Sequence, residues 1–448
     1  MFSEVLLEFE EKKLTLPALP SNFIVVQETG DVPLQESHLQ ANVTQPFGVT
    51  KVLEAYVTNS TTIAEGEDVK TVHDVTLKCL NDPGHRYWPG DTIGILSYNT
   101  NSDVEFILDR LDLHSQCDNV CNVGIDPNTT KKGAKLPLFV PSVVNYRRLF
   151  KECLDLHAVP KKLLIRSLTT CTTVENDRRF LEILCSKEGN SAYERYVQQL
   201  HGKGIISLLE LVPSCRPTAA ILIAHLPRLM PRPYSIANTY REGGDSPAVR
   251  FLFSHDANNP GITTTYLRGL EKGEKVYFYF RQSSAFVYKD TDLRCNIVMV
   301  GTGTGMSPYL SFLERRADAL AKGETLGRAE LFVGFRYRER NYLCRDEIKE
   351  HLKMGVLDAC YEAFSRDTET QHKYVQSQMQ AKRAEIIANI RNPHALFYVC
   401  GDAKVLLPQI TDTVVNILAE ASETEEEDMK TFVDGLKKDG KYREDVWL

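Results

Sequence analysis

No apolar run in this sequence reaches the roughly 18 residues that a membrane-spanning helix needs. The first thirty residues interrupt their apolar stretches with Glu4, Glu8, Glu10 and Lys12, which argues against both a helical anchor and a secretory leader. The chain is therefore expected to be soluble, unsecreted and cytoplasmic. Positive charge is also short: the formal net charge is −7. No broad basic field is available for phosphate backbones or anionic lipid, so neither nucleic acid nor a membrane surface is an expected partner. The 11 cysteines are odd in number and scattered, with Cys117 and Cys121 the only close couple and no histidine cluster beside them. That pattern argues against a zinc site and a disulfide framework and leaves reduced thiols as the plain reading. No metal is expected, and no repeat of solenoid period occurs.

What is present is a long chain, 448 residues with 42% hydrophobic composition, able to bury a large core in several units. Residues 1–45 contain Pro17, Pro20 and Pro33 without sustained periodicity and read as an extended lead-in. From 46 to 104 short β-type runs such as Thr71–Leu80 are broken by Pro83-Gly84 and by Pro89-Gly90-Asp91. Residues 105–225 turn helical, with apolar spacings of three and four in Val104–Leu111 and Phe180–Leu184. Strand signals return within 226–292, at 249–254 and 275–280. From 293 to 448 strands and helices alternate, through Asn296–Val300, Ser307–Ala321, Ala329–Arg336, 346–353, 359–364, 374–390 and Ala395–Cys400. The expected fold is an antiparallel β-barrel carrying a helical insertion, followed by an α/β domain with a parallel sheet. The acidic run Glu423–Asp428 reads as a solvated helix face.

Four constellations carry chemistry. Gly301-Thr302-Gly303-Thr304-Gly305-Met306-Ser307-Pro308 stands between a predicted strand and a predicted helix. Glycines there let backbone N–H groups approach a phosphate, and Pro308 suits a first helical turn; a tight structural turn is the plainer alternative. Ser365-Arg366-Asp367, at the end of a predicted strand, and Lys373-Tyr374-Val375-Gln376 just after it supply a hydroxyl, a guanidinium and an ammonium. Ligands of open parallel sheets gather at such strand ends, and this set suits a ribose 2′-phosphate. No acidic residue stands where one would take a free 2′-hydroxyl, which favours NADPH over NADH. Arg232-Pro233-Tyr234-Ser235 and Gly261-Ile262-Thr263-Thr264 combine a pyrophosphate clamp, an aromatic able to stack on a flat ring and a glycine-opened helix. Finally, Ser235 joins Tyr398-Val399-Cys400-Gly401-Asp402 and the terminal Asp445-Val446-Trp447-Leu448. An aromatic so near a terminus is wasted unless a flat group receives it.

Together these stretches resemble the C-terminal half of the diflavin reductases, the family of cytochrome P450 reductase, sulfite reductase flavoprotein and methionine synthase reductase. The likeness runs from about residue 46 to the end. It is greatest to the methionine synthase reductases, through Lys131–Pro137, Val159–Lys162, Cys185–Gly189, Leu211–Cys215 and His225–Pro227. The resemblance implies a ferredoxin-reductase-type FAD domain over 46–292 and an NADPH domain over 293–448. It implies that Arg232, Pro233, Tyr234, Ser235 and Gly261, Ile262, Thr263 and Thr264 hold FAD, with Trp447 covering the flavin face. Contacts to NADPH are implied at Lys70, Gly303, Thr304, Gly305, Ser365, Arg366, Lys373, Tyr374, Val375 and Gln376. Ser235, Cys400 and Asp445 match the polar trio beside flavin N5, so Ser235, Cys400, Asp445 and Trp447 are the expected catalytic group.

The sequence departs from the family at Phe335, where cysteine is usual, at Gln409, where an acidic residue is usual, and at Thr302, where proline is usual. A larger departure is that residues 1–45 carry no flavodoxin-type phosphate loop, so FMN is not expected in this chain. Its electrons would then pass through a separate FMN-binding protein or an FMN domain missing from this chain. The implied activity is an NADPH-dependent flavoprotein oxidoreductase serving the reductive reactivation of methionine synthase, a cobalamin enzyme. The alternatives are another acceptor, such as sulfite reductase haem or a different FMN protein, and a non-catalytic partner or chaperone of a cobalamin enzyme.

Overall fold

The computed structural model of the chain describes residues 1–30, 32–80, 84–199, 204–241, 248–283 and 285–447. Pro83, Leu448 and the side chain of Trp447 lie outside the described residues. By its internal contacts the chain divides into two units, Met1–Gln45 with Leu96–Arg232 and Asn258–Gly269, and Pro46–Ile95 with Pro233–Ala257 and Leu270–Leu448. These units cut across the divisions read from sequence, and each is described by itself.

The first unit is mainly helical. Asn101–Arg110 and Glu175–Cys185 are helices where the three- and four-residue apolar spacing predicts them. The first starts at Thr100, whose side chain accepts the Asp103 N–H, an N-cap that satisfies one of the free donors of a helix end. Phe150, Leu164, Phe180, Leu184, Ile205 and Leu222 pack in one buried cluster. The stretch read as an extended lead-in contributes to this cluster: Phe2–Glu8 is a helix, Ile24–Glu28 pairs antiparallel with Cys121–Ile125, and Val5, Phe9, Ile24 and Leu39 are buried. Its apolar residues are too widely spaced to show a period, and burial against the helices gives them their structure.

His38 sits inside this unit, its Nε2 3.4 Å from the Ser97 carbonyl and its Nδ1 3.9 Å from Glu152, which also accepts the Leu39 N–H at 2.7 Å. Burial lowers its pKa to about 4, against the opposing pull of Glu152, with Arg148 and Arg228 adding to the lowering. Between its ordinary value near 6.5 and 4, the unfolded chain binds the proton that the folded chain refuses, so stability falls as the pH falls through that window. We expect His38 alone to remove on the order of 3 kcal/mol between those limits. Denaturant titrations from pH 7 to pH 4 should show a shallower decline in His38→Gln than in the wild type.

The second unit begins as a barrel. Its strands are β1 (Leu53–Ala64), β2 (Thr71–Cys79), β3 (Thr92–Ile95), β4 (Arg232–Ser235), β5 (Ala248–His255) and β6 (Lys275–Arg281), in the order β4-β3-β6-β1-β2-β5. Alternation sets the register: Ala55 faces Cys79 and Val57 faces Leu77, and all four are buried. Register shifts between Val57 and Asn59 and between Thr62 and Ala64 bend β1. An Ile236–Phe251 bridge, with Ala237 N–H donating to the Arg250 carbonyl at 2.7 Å, joins the two edges and closes the sheet.

The parallel sheet follows, with β7 (Asn296–Thr302), β8 (Ala329–Phe335), β9 (Ala359–Phe364), β10 (Ala395–Asp402) and β11 (Tyr442–Trp447) in the order β9-β8-β7-β10-β11. Ile297 and Met299 enter one buried cluster and Val298 and Val300 another, as expected of a strand covered on both faces. The first of these clusters also holds Ala64, Val72, Ala237 and Leu252 of the barrel, so barrel and sheet share a core. Arg250 of β5 ties them further, reaching Asp74 at 2.6 Å and Glu347 at 2.8 Å. The strand order reverses between β7 and β10, and ligands of such sheets gather at the carboxyl ends beside that reversal. The predicted helix over 374–390 divides into Val375–Ala381 and Arg383–Arg391, and the acidic run opens the helix Glu426–Lys438, where carboxylates complement the positive end of the helix dipole.

Candidate active site

At the end of β7 the chain turns through Gly303, whose φ of +54° is a left-handed conformation, and then enters the helix Ser307–Ala321 with Pro308 in its first turn. A Cβ at Gly303 would meet nothing within 4 Å, so the backbone there is open to a close approach. At Gly301, by contrast, a Cβ would lie 2.9 Å from the Gly305 carbonyl and 3.0 Å from the Tyr309 ring. Only glycine lets the loop fold back on its strand at that point. An open backbone between a strand end and a helix start is the arrangement that a phosphate contact requires.

Beside β7, β10 ends at Cys400, Gly401 and Asp402, and β11 places Asp445 directly opposite Cys400. Ser235, at the end of β4, donates its hydroxyl to Asp445 Oδ2 at 3.0 Å, and Cys400 Sγ lies 3.9 Å from the same oxygen. Ser235 and Cys400, 165 positions apart in sequence, thus converge on one carboxylate. Ser307 Oγ reaches the Ser235 carbonyl at 3.4 Å, linking the trio to the start of the helix after the glycine loop. Burial pushes the Asp445 carboxyl above its ordinary range, and the Ser235 hydrogen bond, the Arg281 guanidinium and Cys400 each offset part of that rise. Burial and then Asp445 hold the Cys400 thiol well above its usual range, so Cys400 is a neutral donor rather than a thiolate. Arg281 closes β6 with a buried Nε that has no hydrogen-bond partner among the described residues, and it packs over the Phe47 ring at 5.4 Å. Nothing in its sequence surroundings singles it out.

The FAD residues read from sequence fall in both units. In the second, Pro233, Tyr234 and Ser235 lie on β4, and the half-buried Tyr234 ring packs 5.2 Å from Phe251. In the first, Arg232 lies near Asp155, and Gly261 precedes the helix Ile262–Arg268. There Thr263 is buried and donates to Ser97 Oγ at 3.0 Å, so its side chain serves the fold, while Thr264 Oγ1 bonds back to the Gly261 carbonyl at 3.1 Å. Ile262 is half-buried. The backbone of Trp447 is part of β11.

At the far edge of the sheet, Ser365 and Arg366 continue β9 beyond its end, the Ser365 N–H donating to the Phe335 carbonyl and the Arg366 N–H to that of Arg336, each at 2.9 Å. This ladder holds Arg336 and Arg366 side by side. Lys373 and Tyr374 are exposed, whereas Val375 is buried in the core and offers a ligand only its backbone. Gln376 donates to Gln409 Oε1 at 2.7 Å, so the residue standing in the acidic position is engaged with a neighbour of the clamp. Phe335 packs against Tyr342 at 4.9 Å and is 5% exposed, which turns the extra bulk inward. Lys70 pairs with Asp256 at 3.7 Å. Arg336 escaped the sequence reading although its position, one residue past a strand end next to that of Arg366, was a usable signal.

No helix among the described residues is long and apolar enough to cross a membrane, and no cluster among them is suited to a metal ion. Residues 45–246 match the FAD binding domain family, and residues 299–410 match the oxidoreductase NAD-binding domain family. The chain is 31% identical to methionine synthase reductase of Bos taurus and 29% identical to that of Homo sapiens, over 98% of its own length and 66% of theirs. It is 29% identical to the NADPH–cytochrome P450 reductase of Dictyostelium discoideum, over 81% of the chain and 53% of that protein. The chain thus spans just under two thirds of the methionine synthase reductases it matches. The paired nucleotide domains, in this order and on this barrel and sheet, show that the chain belongs to the diflavin reductase family, of which it carries the FAD- and NADPH-binding oxidoreductase module.

Proposed function

We propose that this module draws hydride from NADPH onto FAD and that the electrons leave through an FMN carrier, a separate protein or a domain not in this chain, for the reductive reactivation of methionine synthase in the cytoplasm. The observation that carries the hydride step is the convergence of Ser235 and Cys400 on the Asp445 carboxylate at the strand ends. The cofactors, when bound, supply the transfer between nicotinamide C4 and flavin N5. Asp445 supplies negative charge where positive charge develops, Ser235 and the neutral Cys400 hold it in place and keep a proton within reach, and Arg281 helps keep it ionised. Arg232, Pro233, Tyr234, Gly261, Ile262, Thr263 and Thr264 are the proposed FAD contacts. Lys70, Gly303, Thr304, Gly305, Ser365, Arg366, Lys373, Tyr374, Val375 and Gln376 are those to NADPH, and Trp447 guards the flavin face. Similarity to the methionine synthase reductases across 98% of the chain supports the acceptor.

The test begins with the purified chain: bound flavin absorbance should bleach on anaerobic addition of NADPH. Flavin that is absent, or bound and unbleached, overturns the hydride reading and favours a non-catalytic partner of a cobalamin enzyme. Reactivation of methionine synthase by NADPH and this chain should then require an added FMN protein. Support of sulfite reductase haem, without support of methionine synthase, would move the acceptor.

A further inference from the structure

The turn between β1 and β2 places a carboxylate on the Arg366 guanidinium, which is proposed for the nucleotide. Asp68 sits in the left-handed region, with φ of +67°, and its carboxylate pairs with Arg366 and, at 3.7 Å, with Arg336, while accepting the Tyr337 hydroxyl at 3.1 Å. Arg336 also donates to the Asp68 carbonyl, and Arg340 to that of Glu67 at 3.3 Å. Four groups from the ends of β8 and β9 thus hold one turn. A surface ion pair alone is worth little, but several donors on one carboxylate form a network whose contributions accumulate. Asp68 and Arg366 are 40% and 41% exposed, so a larger anion can reach the same guanidinium and take the place of the carboxylate.

We propose that Asp68 is a specificity-determining residue: it acts as a resident anion in the 2′-phosphate clamp, displaced only by a nucleotide that carries that phosphate. The proposal rests on the reading of Arg366 as a 2′-phosphate ligand. A nucleotide with a 2′-phosphate binds only to the fraction of molecules whose clamp is open, so its apparent affinity is lowered by that fraction. A nucleotide without the phosphate makes no call on Arg366 and binds whether or not the turn is closed. Asp68 therefore narrows the preference of the module for phosphorylated over plain nucleotide. The turn also carries Lys70, which pairs with Asp256 at 3.7 Å.

The test uses the chain with its flavin bound, titrated with 2′,5′-ADP and with 5′-AMP. Asp68→Asn removes the charge and tolerates the left-handed backbone, and Asp68→Gly does so without any side chain. Both variants should bind 2′,5′-ADP about fivefold to tenfold more tightly than the wild type and 5′-AMP equally well. Unchanged or weaker binding of 2′,5′-ADP in both variants overturns the proposal. Arg366→Ala separates the two readings: if it loses 2′,5′-ADP binding while the Asp68 variants gain nothing, the clamp stands and the role of Asp68 falls. If Arg366→Ala binds 2′,5′-ADP as the wild type does, the clamp fails and the proposal fails with it.

Discussion

Asp445→Asn is expected to slow reduction of the bound flavin by NADPH by about 100-fold, the usual order for removing one group aimed at charge that develops in the transition state. Asparagine keeps the shape of the side chain and can still meet Ser235, so flavin content and thermal stability should be retained while the rate of the hydride step falls. The pH dependence carries an independent mark. If the carboxylate is the active form, flavin reduction in the wild type rises with pH as Asp445 loses its proton, over a limb above the ordinary carboxylate range because burial raises its pKa. The groups that face this carboxyl are Ser235 on β4, Arg281 on β6, Cys400 on β10 and Tyr309 on the helix Ser307–Ala321. Among them only Arg281 brings a positive charge. Arg281→Gln should therefore move the limb to higher pH, and Arg281→Lys should move it less. Stopped-flow bleaching of the flavin across pH decides the matter: an Asp445→Asn rate within threefold of wild type would remove Asp445 from the hydride step.

Arg366→Ala should raise KM for NADPH about 100-fold while leaving kcat within about twofold and NADH kinetics unchanged, since a guanidinium on a phosphate contributes charge-assisted hydrogen bonds of binding rather than of the transition state. The same change should also free Asp68 from one partner, but Arg336 and Tyr337 still hold it, so the turn should keep its place. Steady-state kinetics with both nucleotides make the comparison. A rise in KM for NADH equal to that for NADPH would mean that Arg366 touches some other part of the nucleotide.

Much of the parallel sheet was legible in the amino-acid order. Its central strands β7, β8 and β10 are buried on both faces and so appear as short, largely apolar runs, and the helix Ser307–Ala321 and the strand Ala359–Phe364 occupy the predicted spans. The strand β11 was not read as a strand, because Tyr442-Arg443-Glu444-Asp445 has no apolar run and takes its structure from pairing with β10. The helix, the strand and the buried residues within 1–45 likewise have no local signal, since isolated apolar residues such as Phe9 and Leu39 declare themselves only when a core receives them. The glycine loop and the Ser365-Arg366 pair stand at strand ends as their spacing predicts, because a glycine-rich turn and the close of a strand are local features.

By itself the sequence determined the order of most elements and the residue types able to hold two cofactors, because helix and strand periods and loop chemistry act over a few residues. Only the tertiary structure decided which carboxylate Ser235 and Cys400 share, that Arg281 stands near it, and that Asp68 lies on the guanidinium of Arg366. Those relations depend on barrel closure and on strand order, which bring together residues hundreds of positions apart. No local spacing encodes such a pairing, and the long-range contacts that create it are set by the burial of shared apolar faces.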